Sequence, residues 1–168
     1  NGDATIDSVL KLTWPKAVFE PFQKDIIGAI LGGLNGKYRE VAIKGCTGAG
    51  KGAAVAAAAN LWFEASDQAK VVVNSQSRQH AIDVMFAEIV RWRREMRVRC
   101  EDEILDTRVK CHEQKSITVT NPDRGEGFSG MHGGAILFIF DEATGTSAGL
   151  HDLAKTQADM LVALGNPR

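Results

Sequence analysis

The sequence predicts an α/β fold in which a mostly parallel central sheet is covered by helices on both faces. Short apolar runs, typical of strands buried on both sides, alternate with longer segments of helical periodicity. Glycines occur where one predicted strand passes into a helix, and two acids follow another strand. The chain has 168 residues, of which 44% are hydrophobic, and this is enough for one compact core.

The predicted elements alternate along the chain. Apolar residues at helical spacing predict a helix from Phe22 to Ile30, which Gly32, Gly33 and Gly36 end. The expected strands cover residues 41–44, 70–74, 116–120, 135–140 and a last segment that ends at 165. The expected helices cover residues 51–66, 78–95 and 150–156. Because parallel sheets bind ligands beyond the carboxyl ends of their strands, we expect functional residues at that edge.

A glycine-rich loop joins the first predicted strand to the next helix, in the stretch VAIKGCTGAGKGAAVAAAANLWF. Residues 45–52, GCTGAGKG, fit the phosphate-loop spacing G-x-x-x-x-G-K. Glycines let the backbone wrap a phosphate closely, and the helix terminus adds N–H groups and a positive dipole end. The loop therefore predicts an ATP site in which Lys51 reaches the β- and γ-phosphates. The other predicted members of this site are Gly45, Cys46, Thr47, Gly48, Ala49, Gly50 and Gly52.

Gly52 departs from this pattern, since Ser or Thr ordinarily follows the lysine and its hydroxyl ligates Mg²⁺. Mg²⁺ keeps several waters and often has few protein ligands, so a water can replace the hydroxyl. We therefore expect weaker Mg²⁺ binding with the nucleotide site retained. Thr47, inside the loop, is a candidate replacement ligand.

The stretch ILFIFDE, an apolar strand that ends in Asp141 and Glu142, is the Walker B pattern. Asp141 is predicted to hold Mg²⁺, directly or through water, and Glu142 to polarise the attacking water. Beside the phosphate loop, this acid pair favours an ATPase with a catalytic glutamate over a kinase or a GTPase. The predicted fold is accordingly the P-loop NTPase core of ASCE or RecA-like type, with three α/β/α layers. The last strand, MLVALG, is expected between the two motif strands, near which Asn166 would sense the γ-phosphate.

Together these motifs resemble the ATPase domain of the large terminases of tailed phages, which package DNA into a procapsid. The similarity covers roughly residues 22–168, and its most specific segments are GFSGMHGGAILFIFDEATG and LVALGNP. FQKDII resembles the adenine-contacting segment, and SQSRQHAIDVMFAEIVRW resembles the segment that follows the second strand. The resemblance implies that Gln23 contacts adenine and that Asn166 couples hydrolysis to DNA movement.

The resemblance also implies a function and partners. ATP hydrolysis would drive translocation of double-stranded DNA by a homo-oligomeric ring, a pentamer on the portal, with the portal protein and the small terminase subunit as partners. The site of action would be the host cytoplasm, at the portal vertex of the procapsid, with no membrane partner. Large terminases continue into a nuclease domain, so residues 1–168 are expected to be a single ATPase domain that ends after the coupling motif and lacks the nuclease.

Ring ATPases often complete a neighbour's site with an arginine, which is worth roughly 10³–10⁵ in rate. Arg124 lies in a glycine-rich loop just before the Walker B strand and is predicted to be this trans-acting catalytic residue. Arg78, at the start of a helix on the same edge of the sheet, is its rival. Either arginine could instead be a solvated loop residue.

Two other functions stay open at this point. One is a helicase-like DNA-dependent ATPase, which would need a second motor domain, and the other is a catalytically weak P-loop module used for assembly, which Gly52 would suit. The formal net charge is −1, so no global basic field indicates nucleic acid.

Other clusters are predicted to be structural. The arginines of RWRREMRVR are expected on a solvated or self-paired surface, ahead of a subunit contact or DNA binding. His132 is expected to position its loop. Cys100, Cys111 and His112 lack paired ligand spacing, so they do not predict a metal site.

Overall fold

A computed structural model describes residues 2–46, 48–120, 134–142 and 148–165, with side chains from residue 6 onward. The strands are β1 (Glu40–Lys44), β2 (Ala69–Asn74), β3 (Glu103–Ile104), β4 (Arg108–His112), β5 (Lys115–Val119), β6 (Ala135–Phe140) and β7 (Met160–Gly165). Within the described ranges they form one seven-stranded sheet in the order β1-β7-β6-β2-β5-β4-β3. The pairs from β1 to β5 in this order are parallel, whereas β4 and β3 add an antiparallel edge.

Helices cover both faces of this sheet. They are α1 (Gly2–Thr13), α2 (Pro21–Leu31), α3 (Lys51–Ala65), α4 (Arg78–His80), α5 (Ala87–Arg94) and α6 (Ala148–Gln157). A 3-10 turn, Gly32–Asn35, follows α2, and a π-helical segment, Ala81–Phe86, joins α4 to α5. None of the described helices is long and apolar enough to cross a membrane.

Two apolar layers enclose the sheet. One contains α2, α3 and α5 with the inward side chains of the strands, and its central helix α3 is buried without interruption from Ala54 to Phe63. The other lies under α6, where Leu150 and Ala154 pack against residues such as Phe138 and Phe140 of β6. The three-layer α/β/α architecture predicted from the sequence is therefore confirmed.

The strand order also confirms the predicted place of the last strand. β7 lies between β1, which precedes the glycine loop, and β6, which carries the two acids. Its backbone pairs with both, with Val41 opposite Val162 on one side and Ile139 opposite Val162 on the other. The two motif strands are thus neighbours of one central strand, and their carboxyl ends lie at the same edge.

The sequence pattern did not predict strands β3 and β4, helix α1 or the π-helical segment. The hairpin strands β3 and β4 are short and only partly buried, so their alternation of apolar and polar residues is weak. Helix α1 contacts α2 and buries Leu10 in the same apolar layer, but no helix was predicted before Phe22. The π-helical turn keeps helical spacing, which is why the stretch resembles an ordinary α-helix in sequence.

The prediction that the RWRREMRVR arginines form a surface is wrong for Arg93, whose side chain is fully buried. The guanidinium lies 4.5 Å from the centre of the Phe63 ring and donates to Glu64 Oε1 at 2.8 Å and to Asp102. It also contacts Asn60 Oδ1 at 3.3 Å. Arg93 with Asn60, Glu64, Cys100 and Asp102 is called the Arg93 cluster below. Because its members come from α3, α5 and the segment after α5, the cluster ties these parts together.

Candidate active site

The carboxyl ends of β1, β7, β6 and β2 meet around one open cleft of about 270 Å³. Both the glycine loop and the acids after β6 line this cleft. The lining residues are Gly48, Ala49, Gly50, Lys51, Gly52, His80, Val84, Met85, Asp141, Glu142, Leu164 and Gly165. The fold therefore brings together the two motifs that the sequence places far apart.

The loop depends on glycine at two positions. Gly48 and Gly50 have φ angles of +82° and +79°, a region that L-residues with a Cβ seldom occupy. A Cβ on Gly50 would also lie 2.6 Å from Gln23 Nε2. Gln23 donates from Nε2 to the Gly50 carbonyl at 3.1 Å and accepts from the Glu20 N–H at 2.9 Å. Gln23 thus supports the loop from α2, and its contact with adenine stays a prediction.

Lys51 is the first residue of α3 and folds back across the loop. Its Nζ donates to the Gly45 carbonyl, directly after β1, and lies 3.4 Å from the Gly165 carbonyl at the end of β7. The ammonium group is therefore held at the carboxyl edge, where the amino terminus of α3 also contributes positive potential. Cys46 is exposed in the same loop.

Asp141 is buried directly after β6. Its N–H donates to the Asn74 carbonyl at 2.8 Å, which fixes the backbone against β2. Its Oδ2 is buried and has no hydrogen-bond partner among the residues that the structure describes. Burial raises the pKa of Asp141 above its ordinary value, although His80 opposes this shift. A buried carboxylate oxygen without a partner suits a hard cation such as Mg²⁺.

Glu142 has an unusual backbone conformation. Its φ of +57° lies in the left-handed region, which is uncommon for a residue other than glycine. The side chain is 40% exposed and faces the cleft, so a substrate can reach the carboxylate. Strained backbone of this kind concentrates at functional sites.

The surroundings of Gly52 leave room for a side chain. A Cβ added there would meet no heavy atom within 4 Å, so packing does not explain the absence of Ser or Thr. Within the described ranges no group of three or more His, Cys, Asp and Glu residues could hold a metal ion. An ion here would accordingly depend on Asp141, phosphate oxygens and water, which is a common arrangement for Mg²⁺.

Sequence reasoning missed His80. Its Nε2 lies 3.7 Å from Asp141 Oδ2 and 4.0 Å from Glu142 Oε1. Its position in the sequence could have indicated it as a site residue, because His80 is in the first helical turn after β2, at the carboxyl edge of the sheet. The predicted rival arginine, Arg78, is exposed at the start of the same helix. Thr47, Arg124, His132 and Asn166 lie outside the described residues.

The fold and cleft define a P-loop NTPase architecture. No protein-family profile matches the sequence, and no curated protein sequence matches it. Solved structures do match. The large terminase of a thermophilic bacteriophage superposes with a TM-score of 0.70 at 13% identity, over 90% of this chain and 40% of the terminase. The complex of that terminase with ADP gives a TM-score of 0.65 at 13% identity, over 89% of this chain and 38% of the terminase.

The large terminase of bacteriophage HK97 has a TM-score of 0.66 at 15% identity, over 98% of this chain and 37% of that protein. The chain thus spans about two fifths of the length of the terminases it matches. At these identities the likeness concerns the fold, and it confirms at that level the resemblance first indicated by the motifs.

Proposed function

We propose that this chain is the ATPase motor domain of a phage large terminase and couples ATP hydrolysis to translocation of double-stranded DNA. The main supporting observation is the cleft that joins Lys51 to Asp141 and Glu142 across strands β1, β7 and β6. The likeness to terminase structures, one of them in complex with ADP, adds support for this class of P-loop protein.

In the proposed site, Lys51 and the N–H groups of residues 48–52 bind the phosphates of ATP. Asp141 would hold Mg²⁺, which when bound neutralises charge on the β- and γ-phosphates. Glu142 orients the attacking water and accepts its proton. Gln23, which contacts the loop at Gly50, would reach adenine from the α2 side, and Asn166 would follow the loss of the γ-phosphate.

The motor function brings further proposals. A homo-oligomeric ring on the portal, with the small terminase subunit and double-stranded DNA as partners, would act at the procapsid vertex in the host cytoplasm. Arg124 would complete a neighbour's site. Arg78 is the alternative, because it is exposed at the start of α4 and so accessible to another subunit. The assignment of residues 1–168 to one ATPase domain belongs to the same proposal.

DNA-dependent turnover tests this function. ATP hydrolysis by the full-length protein is measured alone, with double-stranded DNA and with single-stranded DNA, beside Lys51→Ala and the exposed-lysine control Lys16→Ala. We expect turnover that double-stranded DNA stimulates, that Lys51→Ala reduces at least about 100-fold, and that Lys16→Ala leaves unchanged. Lys51→Ala should also abolish packaging of DNA into procapsids, whereas Lys16→Ala should not.

Two results would contradict the proposal. Stimulation by single-stranded DNA alone would favour the helicase-like alternative. Equal turnover of Lys51→Ala and wild type would mean that the cleft does not hydrolyse ATP, as expected for an assembly module.

A further inference from the structure

His80 projects into the proposed active site from a different element than either motif. Its Nε2 is 3.7 Å from Asp141 Oδ2 and 4.0 Å from Glu142 Oε1. The imidazole is 29% exposed and lines the cleft with the phosphate loop. His80 is thus a basic side chain within ion-pair distance of both acids.

The backbone around His80 is fixed by local hydrogen bonds. Ser77 caps the helix, because its Oγ accepts from the His80 N–H at 3.1 Å and its carbonyl accepts from the Ala81 N–H at 3.1 Å. The π-helical segment follows at once, with Met85 and Phe86 buried in the core. Such single π turns widen a helix and frequently occur at functional sites. His80 is therefore presented to the acids by an anchored segment.

Glu142 has less support of its own. Its backbone conformation is fixed at φ +57°, but its side chain is 40% exposed, so burial does not restrict the carboxylate. A carboxylate that aligns a water for attack gains efficiency when a neighbouring donor holds it in one rotamer. Imidazole can donate a hydrogen bond from Nε2 in both its neutral and its charged form.

We propose that His80 is a positioning residue that holds the Glu142 carboxylate toward the attacking water, an inference that rests on the proposed ATPase function. The 4.0 Å separation is longer than a hydrogen bond, and catalytic hydrogen bonds commonly shorten when the substrate binds. If Asp141 binds Mg²⁺ as proposed, its carboxylate is occupied by the ion, and Glu142 is then the acid of the pair that can accept a hydrogen bond from His80 Nε2. His80 acts through Glu142 and does not itself react with the substrate.

The test compares His80→Ala and His80→Gln with the neighbouring control Gln79→Ala in the full-length protein. Gln79 is exposed, and its side chain bonds to Asp83 at 2.9 Å. We expect His80→Ala to lower kcat about tenfold, while KM for ATP and the Mg²⁺ concentration for half-maximal rate stay within twofold. His80→Gln, which keeps an N–H near Nε2, should recover at least a third of wild-type kcat, and Gln79→Ala should match wild type.

A double variant distinguishes action through Glu142 from any other role. In single-turnover hydrolysis, His80→Ala should have no further effect in the Glu142→Gln background, because the group it positions is gone. Thermal melting of each variant checks that the fold is retained.

Several results would overturn the proposal. They are kcat within twofold of wild type for His80→Ala, no recovery with His80→Gln, or an additive effect in the double variant. A tenfold rise in the Mg²⁺ requirement would assign His80 to Asp141 instead. If Glu142→Gln itself hydrolysed ATP at the wild-type rate, the proposed ATPase site would be contradicted, and the role of His80 with it. If Glu142→Gln were inactive and His80→Ala normal, only the role of His80 would fail.

Discussion

Two buried polar regions of this molecule are built in opposite ways. In the Arg93 cluster, the fully buried guanidinium has partners in Asn60, Glu64 and Asp102. At the carboxyl edge of the sheet, Asp141 Oδ2, Asn74 Oδ1 and Ser75 Oγ are buried and have no hydrogen-bond partner within the described part of the chain. Buried polar atoms are normally paired, so an unpaired oxygen beside a cleft is a candidate ligand-binding group. The first region is thus paired within the fold, whereas the second offers the unpaired oxygen that the proposed ATP and Mg²⁺ site would use.

Removal of Arg93 should produce the largest loss of stability. Arg93→Ala removes the buried guanidinium that pairs with the carboxylates of Asp102 and Glu64, which are 2% and 24% exposed. It leaves Asp102 with Arg99, at 3.4 Å, and Glu64 with the N–H of Cys100, at 3.0 Å, among the described partners. Breaking a buried ion pair from one side typically costs about 3–5 kcal/mol. Urea denaturation should show this decrease in the free energy of unfolding.

The exposed neighbour Arg94 is the matched control, and Arg94→Ala should change the free energy of unfolding by less than about 0.5 kcal/mol. A loss below about 1 kcal/mol for Arg93→Ala would mean that the cluster does not stabilise the fold in the way described.

In the absence of nucleotide and metal, Asp141→Asn should change the free energy of unfolding in the opposite direction to Arg93→Ala. Burial raises the folded-state pKa of Asp141, so folding disfavours its ionised form. Ionisation of Asp141 therefore lowers the free energy of unfolding as the pH rises through its pKa in the folded protein. Below its pKa in the unfolded chain, the group is protonated in both states and this loss is absent. We expect Asp141→Asn to raise the free energy of unfolding at neutral pH by up to about 1 kcal/mol.

Melting temperatures of wild type and Asp141→Asn across pH 3–8 would check this sign, with chelator present throughout. The difference should shrink as the pH falls and Asp141 takes up its proton. A variant less stable than wild type at neutral pH would show that the Asp141 carboxylate has a stabilising partner, which would remove the contrast with the Arg93 cluster.

The sequence predicted the centre of the fold better than its margins. β6 and β7 are apolar throughout, and their position beside the phosphate loop follows from motif order. The loop and acid pair could likewise be predicted to meet, because both follow strands of one parallel sheet. Strands β3 and β4 are short and polar, so local periodicity does not distinguish them from loops.

His80 and Arg93 show what a motif search leaves out. Tertiary packing gives each its neighbours: His80 lies opposite two acids that follow another strand, and Arg93 lies beside partners on α3 and after α5. In the sequence, one is a single histidine in a helix, and the other is one of several arginines in RWRREMRVR. Long-range contacts, which local patterns do not encode, determine the surroundings of both.

Gly52→Ser should have the smallest effect on stability, because a Cβ at this position meets nothing within 4 Å. The free energy of unfolding should change by less than about 0.5 kcal/mol, while the added hydroxyl should lower the Mg²⁺ concentration needed for ATP binding. Titration of ATP binding against Mg²⁺ would measure this shift, with Gly52→Ala as control. An unchanged Mg²⁺ dependence would mean that position 52 does not face the ion.

ATP turnover by Glu142→Gln, beside wild-type full-length protein with Mg²⁺ and double-stranded DNA, tests the central claim most directly. Removal of a general base should lower turnover by about 10²–10⁴-fold, while ATP binding, measured in parallel, stays within a few-fold of wild type. That result would identify the carboxyl edge as the catalytic site. Turnover by Glu142→Gln within twofold of wild type would contradict the account, because the acid at this edge would then have no part in hydrolysis.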